Sequence, residues 1–210
     1  MRTLHVDDEG TLAAAAEALM AGEAIVVPTD TVYGVAARPD LADAVHRIYL
    51  AKDRPQTMHL PILAASLDQV RALGVHLSDT ALILAERWWP GPLTMALGFA
   101  VDGQRPAWLA DRDEVAVRIP RHLFLLDLLA RTGVLMVTSA NRHGAPTPPS
   151  AAEVLEHLTP HVSMLIDGGT LEGEPSTLVN VHGGDALVER EGAISRATIS
   201  SVLPPRRDAS

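Results

Sequence analysis

The chain has 210 residues, 47% of them apolar, with 17 basic and 26 acidic residues, a formal net charge of −9 at pH 7 and no cysteine. That length makes one sizeable domain or two small ones able to bury a core, and the lack of cysteine excludes disulfides, thiolate zinc sites and a cysteine nucleophile. The acidic balance disfavours a surface that grips tRNA or DNA through phosphates, leaving only a local basic pocket open.

Helical and strand patterns alternate along the chain without an internal repeat. An Ala- and Leu-rich helix is predicted from Leu12 to Ala21, stopped at Gly22. Ala24–Val27 reads as a buried strand ended by Pro28, and Pro28–Gly34 (PTDTVYG) as a polar turn. Leu41–Ala51 has helical spacing, Leu60–Leu63 is a short strand, and Asp79–Trp89 is a helix stopped by Pro90. Thr94–Phe99 and Val115–Ile119 read as strands, followed by a helix at Leu123–Arg131 and a strand at Val134–Val137. After the loop Thr138–Pro149, Ser150 is placed to cap a helix over Ala151–Leu158, with Glu153 completing a capping box. Met164–Ile166, Thr177–Val181 and Ala186–Arg190 complete the strands, the last two forming a hairpin. The fold class expected is α/β: a twisted open sheet, mixed parallel and antiparallel, flanked by helices. One domain is expected over residues 1–203, with 204–210 a frayed tail.

Much common chemistry is missing. There is no G-x-x-x-x-G-K-[ST] or G-x-G-x-x-G phosphate loop, no G-x-S-x-G elbow and no H-E-x-x-H. His157 and His161 have helical metal spacing, but Pro160 breaks the turn between them. Asp111, Asp113 and Glu114 read as a solvated acidic loop rather than a hard-cation site. No apolar run approaches the roughly 20 residues that cross a bilayer. Met1–Gly10 lacks the order of a signal peptide, so a cytoplasmic location is expected.

The informative residues are the rare ones. Of the 17 basic residues 16 are Arg and one is Lys52; Asn occurs only at 141 and 180, Tyr only at 33 and 49. Most of these fall in four polar segments at element ends: Pro28–Gly34, Lys52–Pro55 (KDRP), Thr138–Asn141 (TSAN) and Pro175–Thr177 (PST). Arg118 closes VAVRIP, and Arg190 precedes Glu191. Lys52 and Arg54, two apart at a helix end, suggest a turn aiming both cations at one site. With nearby hydroxyl and amide side chains they would form a receptor for phosphate or carboxylate. Taken singly, Ser139 and Asn141 could serve only their turn, and Arg118 could pair only with an acid such as Asp113.

The runs GEAIVVPTDTVYGVAA, RIYLAKDRP, WWPGPLT, VAVRIP, TSAN, IDGG and PSTLV resemble the YrdC-like family of threonylcarbamoyl-AMP synthases, collinearly from about Leu12 to Gly192. The K-x-R and S-x-N signature of that family falls on Lys52, Arg54, Ser139 and Asn141. The resemblance, to the short form of the family, implies an open α/β sheet around a positively charged cavity. It implies the reaction of L-threonine, bicarbonate (or CO2) and ATP to threonylcarbamoyl-AMP and pyrophosphate. The product would pass to a tRNA-modifying threonylcarbamoyl transferase complex, with weak or no direct tRNA binding by this chain and no membrane partner. Lys52 and Arg54 are the candidates for catalysis, holding triphosphate and carbamate. By the family pattern Thr31 and Ser176 would contact threonine, and Arg54, Ser139, Asn141, Thr147 and Arg190 the nucleotide. Arg118 and Tyr33 would stand at the same cavity, ligand unassigned. Mg2+ would be held mainly by ATP phosphates.

The chain departs from the family pattern at four residues, Met58, His59, Leu63 and His143. Met58-His59-Leu60 stands where many members have Lys-Pro-Leu, Leu63 where some have His, and His143-Gly144 where Ser-Gly is usual. No general base stands out except Asp30, which could equally cap its turn. The competing readings are an RNA- or ribosome-binding module on this fold, a catalytically divergent paralogue, and carbamoyl transfer as in hydrogenase maturation proteins.

Overall fold

The computed structural model describes residues 1–158, 160–183 and 185–203, so the expected tail at 204–210 lies outside the described residues. Ten strands among them form one mixed sheet. In chain order they are β1 (Arg2–His5), β2 (Ile25–Val27), β3 (Gly34–Ala37), β4 (Ile62–Leu63), β5 (Leu93–Gly98), β6 (Glu114–Arg118), β7 (Leu135–Ser139), β8 (Met164–Asp167), β9 (Thr177–Asn180) and β10 (Leu187–Arg190). They lie side by side as β1-β8-β2-β3-β7-β4-β6-β5-β9-β10. Pairs β1–β8, β2–β8, β4–β6 and β5–β9 are parallel; the other five are antiparallel, including the β9–β10 hairpin.

Period-two alternation divides the core. Ile25, Val27, Ala36, Leu135 and Val137 face one layer, with Leu19 of helix α1 (Thr11–Met20) and Leu125, Leu128 and Leu129 of helix α5 (Leu123–Thr132). Val26, Val35, Ala37, Met95 and Val117 face the other, with Ile48 of helix α2 (Ala42–Lys52) and Leu84 of helix α4 (Asp79–Trp88). Both faces are covered, which is why the central strands read as apolar runs. Helices α3 (Leu67–Arg71), α6 (Ala151–His157) and α7 (Arg196–Val202) start, like α4, at a serine. Ser66, Ser78, Ser150 and Ser195 accept from Gln69, Ala81, Glu153 and Thr198 backbone N–H groups, each worth about 1 kcal/mol. The Glu153 carboxylate, however, accepts a hydrogen bond from the Ser150 hydroxyl at 2.8 Å.

Five elements were not expected from the sequence: β1, β3, α3, α7 and a short 3-10 turn at Ala107–Leu109. Also, β7 runs on to Ser139, inside what reads as a loop. None of the helices among the described residues is long and apolar enough to cross a membrane. The registers place the end of β2, the start of β3 and the end of β7 at one edge, where Gly34 pairs with Ser139, and the end of β6 with the starts of β5 and β9 at the other, where Leu93 pairs with Thr177. Strand ends of this kind are where open α/β sheets bind ligands.

Candidate active site

The turn after β2 is built by Thr29. Its hydroxyl accepts from the Thr31 and Val32 N–H groups at 3.0 and 3.1 Å and donates to the Val32 carbonyl at 2.7 Å. This presents Asp30 and Thr31 to Arg118 at the end of β6. Arg118 donates from Nε to the Gly91 carbonyl (2.9 Å), from one terminal nitrogen to Thr31 Oγ1 (2.9 Å) and from the other to Asp30 Oδ1 (2.6 Å). Arginine only donates, so Thr31 accepts there and keeps its own proton. The acid partner of Arg118 is thus Asp30, not Asp113. Burial pushes the Arg118 guanidinium below its ordinary range, and Asp30 opposes that shift.

Helix α2 ends at Lys52, and Asp53 takes a left-handed conformation (φ 51°) that reverses the chain. The expectation that Lys52 and Arg54 aim at one site is not met. Lys52 is 1% exposed and points behind the S-x-N segment, where its ammonium donates to the Ser139 carbonyl, the Asn141 carbonyl (2.6 Å) and Asn141 Oδ1 (3.3 Å). Three protons meet three acceptors. Asn141 in turn donates from Nδ2 to the Arg142 and Ala145 carbonyls at 2.8 and 2.6 Å. Both of its amide protons are engaged within its own loop, and its side-chain oxygen faces Lys52. Arg54 emerges on the other side, with Nε buried and without a hydrogen-bond partner among the described residues.

On the far wall Ser176 precedes β9. Its hydroxyl lies 2.8 Å from Thr94 Oγ1, and Arg190 donates to its carbonyl at 2.7 Å and to its hydroxyl at 3.3 Å. Burial pushes the Arg190 guanidinium down from its ordinary range. Gly192 lets the following segment press against this turn: a Cβ there would sit 2.1 Å from the Pro175 carbonyl oxygen. Tyr33, fully buried, carries its hydroxyl to the IDGG loop, accepting from Gly168 N–H (3.0 Å) and donating to the Gly169 carbonyl (2.6 Å). Burial raises this phenol to about 12, so it stays protonated.

These groups enclose a cavity of about 220 Å3. Of the residues singled out in the sequence, Thr31, Tyr33, Arg54, Arg118, Ser139, Ser176 and Arg190 line it; Lys52, Asn141 and Thr147 do not. Thr29, Leu63, Thr94 and Thr138 line it as well. Thr94 lies in the WWPGPLT run without a signal of its own, because its partner is 82 residues away. Three guanidiniums and no carboxylate among the described lining residues make the cavity a receptor for anionic oxygen. No group of three or more His, Cys, Asp or Glu among the described residues could hold a metal ion. That includes the Asp111–Glu114 loop, where Glu114 instead accepts from Asn180.

The Sua5/YciO/YrdC family, described as "Telomere recombination", matches residues 17–192. The chain is 34% identical over 196 residues to the threonylcarbamoyl-AMP synthase of Bacillus subtilis (strain 168), covering 92% of this chain but 57% of that protein. It is 33% identical over 182 residues to the threonylcarbamoyl-AMP synthase of Stutzerimonas stutzeri (strain A1501), covering 82% of this chain and 93% of that one. Among solved structures, Pyrococcus abyssi Sua5 complexed with L-threonine superposes with a TM-score of 0.85 at 33% identity, over 96% of this chain and 59% of that chain. The chain therefore spans little more than half the length of two of these three relatives.

Proposed function

This chain belongs to the Sua5/YciO/YrdC family, and on that premise we propose that it is a threonylcarbamoyl-AMP synthase acting in the cytoplasm. Its substrates are L-threonine, bicarbonate or CO2, and ATP; its products are threonylcarbamoyl-AMP and pyrophosphate. The observation that carries this proposal is the cavity of Arg54, Arg118 and Arg190, ringed by Thr and Ser hydroxyls and free of carboxylates. Relatives named for this reaction, and the Pyrococcus abyssi Sua5 structure complexed with L-threonine, support threonine as the amino acid.

The threonine amine adds to CO2, loses a proton and becomes a carbamate. A carbamate oxygen attacks the α-phosphorus of ATP, the bond to the bridging oxygen breaks, and pyrophosphate leaves. This is a nucleotidyl transfer in which carboxylate, carbamate and phosphates must crowd together. The chain's contribution is to position and neutralise them. Arg54, with an unused buried N–H, holds phosphate or carbamate oxygen. Ser139 and Arg190 face the nucleotide, and Thr31 and Ser176 the amino acid. Arg118 is braced by Asp30 and Gly91, so it offers a fixed cation with little reorganisation. Lys52 and Asn141 act one layer behind, holding the Ser139–Ala145 segment in place. Mg2+, bound on the phosphates, would add charge neutralisation, since the described residues supply no acidic cluster for it. The adenylate then passes to a tRNA-modifying transferase complex, a division of labour that suits a chain of net charge −9.

The test is pyrophosphate release from ATP. Release should require both L-threonine and bicarbonate, and Arg54→Ala should lower kcat/KM by about 100-fold or more, the scale of losing one transition-state donor. Release independent of threonine, or ATP binding without any release, would overturn the proposal in favour of a divergent paralogue or an RNA-binding module.

A further inference from the structure

The hydroxyl pair of Thr94 and Ser176 has an uneven proton balance. Leu93, Met95 and Leu97 belong to the core, so alternation along β5 turns Thr94 to the opposite face, towards the cavity. Thr94 and Ser176 are 6% and 8% exposed, and their oxygens are 2.8 Å apart. Arg190 donates to the Ser176 oxygen at 3.3 Å. Between them the two hydroxyls own two protons, and one lies in the bond they share. The other has no acceptor among the described residues. When Thr94 donates, the Ser176 oxygen receives both Thr94 and Arg190, its acceptor capacity is filled, and its own proton must point elsewhere. The open direction is the cavity, which both side chains line.

We propose that Thr94 is a positioning residue that, together with Arg190, turns the Ser176 hydroxyl into a dedicated proton donor to an oxygen of the amino-acid substrate. Nearby charge selects what that outward proton meets. Arg118 and Arg190 share the cavity with the pair, so the atom drawn there is an anionic or carbonyl oxygen, to which a hydroxyl must donate. Without the Thr94 hydroxyl, Ser176 regains a free lone pair and a rotor, and it meets the substrate in several orientations. This inference rests on the threonylcarbamoyl-AMP synthase reading.

Steady-state kinetics with L-threonine and ATP varied in turn provide the test, with calorimetric binding of L-threonine beside them. Thr94→Val keeps the shape and removes the hydroxyl. Its KM for threonine should rise about five- to tenfold, the scale of one neutral hydrogen bond, while the KM for ATP stays within twofold. Thr94→Ser should return the threonine KM to near wild type. Because Thr94 acts through Ser176, adding Thr94→Val to Ser176→Ala should bring no further rise. Should Thr94→Val not fold, Thr94→Ala against Thr94→Ser gives the same comparison. An unchanged threonine KM in Thr94→Val would overturn the inference alone, as would equal losses in the Val and Ser variants, or an additive double mutant. A wild-type chain that binds ATP but neither binds nor uses L-threonine would overturn it together with the synthase reading.

Discussion

Lys52 Nζ lies 2.6 Å from the backbone carbonyl of Asn141 and 3.3 Å from its side-chain oxygen, at a point where the lysine is 1% exposed. The one lysine in the chain thus fastens the end of α2 to the segment after β7. A guanidinium is too broad and planar for three converging acceptors on a compact point. Lys52→Met should leave the Ser139 and Asn141 carbonyls unpaired and cost about 3 kcal/mol in urea unfolding, and Lys52→Arg should recover little of it.

The same ammonium has a pH signature. Burial, with the Arg54 charge adding to it, lowers its pKa from 10.5 to about 8. The unfolded chain therefore holds this proton more tightly than the folded one. Between about pH 8 and 10.5 unfolding takes up a proton, so the Lys52 contribution to stability grows as pH rises through that window and is smallest below it. Tyr33, raised to about 12, works in the opposite sense above pH 10, but equally in wild type and Lys52→Met. The stability difference, wild type minus Lys52→Met, should climb from pH 8 to 10. A flat difference would show that Lys52 does not titrate there.

Asp30 and Arg118 form a pair whose side chains are 12% and 7% exposed. Removing the acid strands a buried cation. Asp30→Ala should cost about 3–5 kcal/mol, the scale for one partner of a buried pair, whereas Asp30→Asn keeps an acceptor for the guanidinium and should cost distinctly less. Equal losses in a urea titration would mean that the carboxylate charge, and not the hydrogen bond, holds Arg118.

Gly192 offers a test of the far wall. A Cβ at this position would meet the Pro175 carbonyl oxygen at 2.1 Å and Ser176 backbone atoms at 2.9 Å. Gly192→Ala must push the Pro175–Ser176 turn aside, at about 1–3 kcal/mol. The KM for threonine should rise more than the KM for ATP. A variant with wild-type kinetics would place the amino acid away from Ser176.

Much of this arrangement was legible in the residues. The polar turn Pro28–Gly34 lies at the end of β2, Ser150 caps α6, and the β9–β10 hairpin and mixed sheet are as the alternation predicts. Elements lacking periodicity were not legible. β1 is an edge strand of mostly exposed residues held by β8, β3 is four small residues fused to a turn, and α7 is largely polar. The direction of Lys52 was hidden for another reason. It depends on Asp53 turning left-handed, a conformation that Asp tolerates without announcing it. Thr94 and Ser176 meet because β5 pairs with β9, and Asp30 meets Arg118 because the turn after β2 reaches the end of β6, across separations no local pattern encodes.

The cavity wall is assembled from Thr29, Thr31–Gly34, Arg54, Pro61, Leu63, Thr94, Arg118, Val137–Ser139, Pro175–Ser176 and Arg190, nearly the whole span of the sheet. During synthesis, therefore, a nascent chain that has not yet delivered Ser176 and Arg190 has a receptor missing one wall and one of its three cations. Nucleotide and amino acid cannot help such a partial chain to fold, since ligands stabilise only the state that binds them. Their stabilising pull would begin late, once the β9–β10 hairpin docks beside β5, and a break in the chain between residues 139 and 175 would divide the receptor between two fragments.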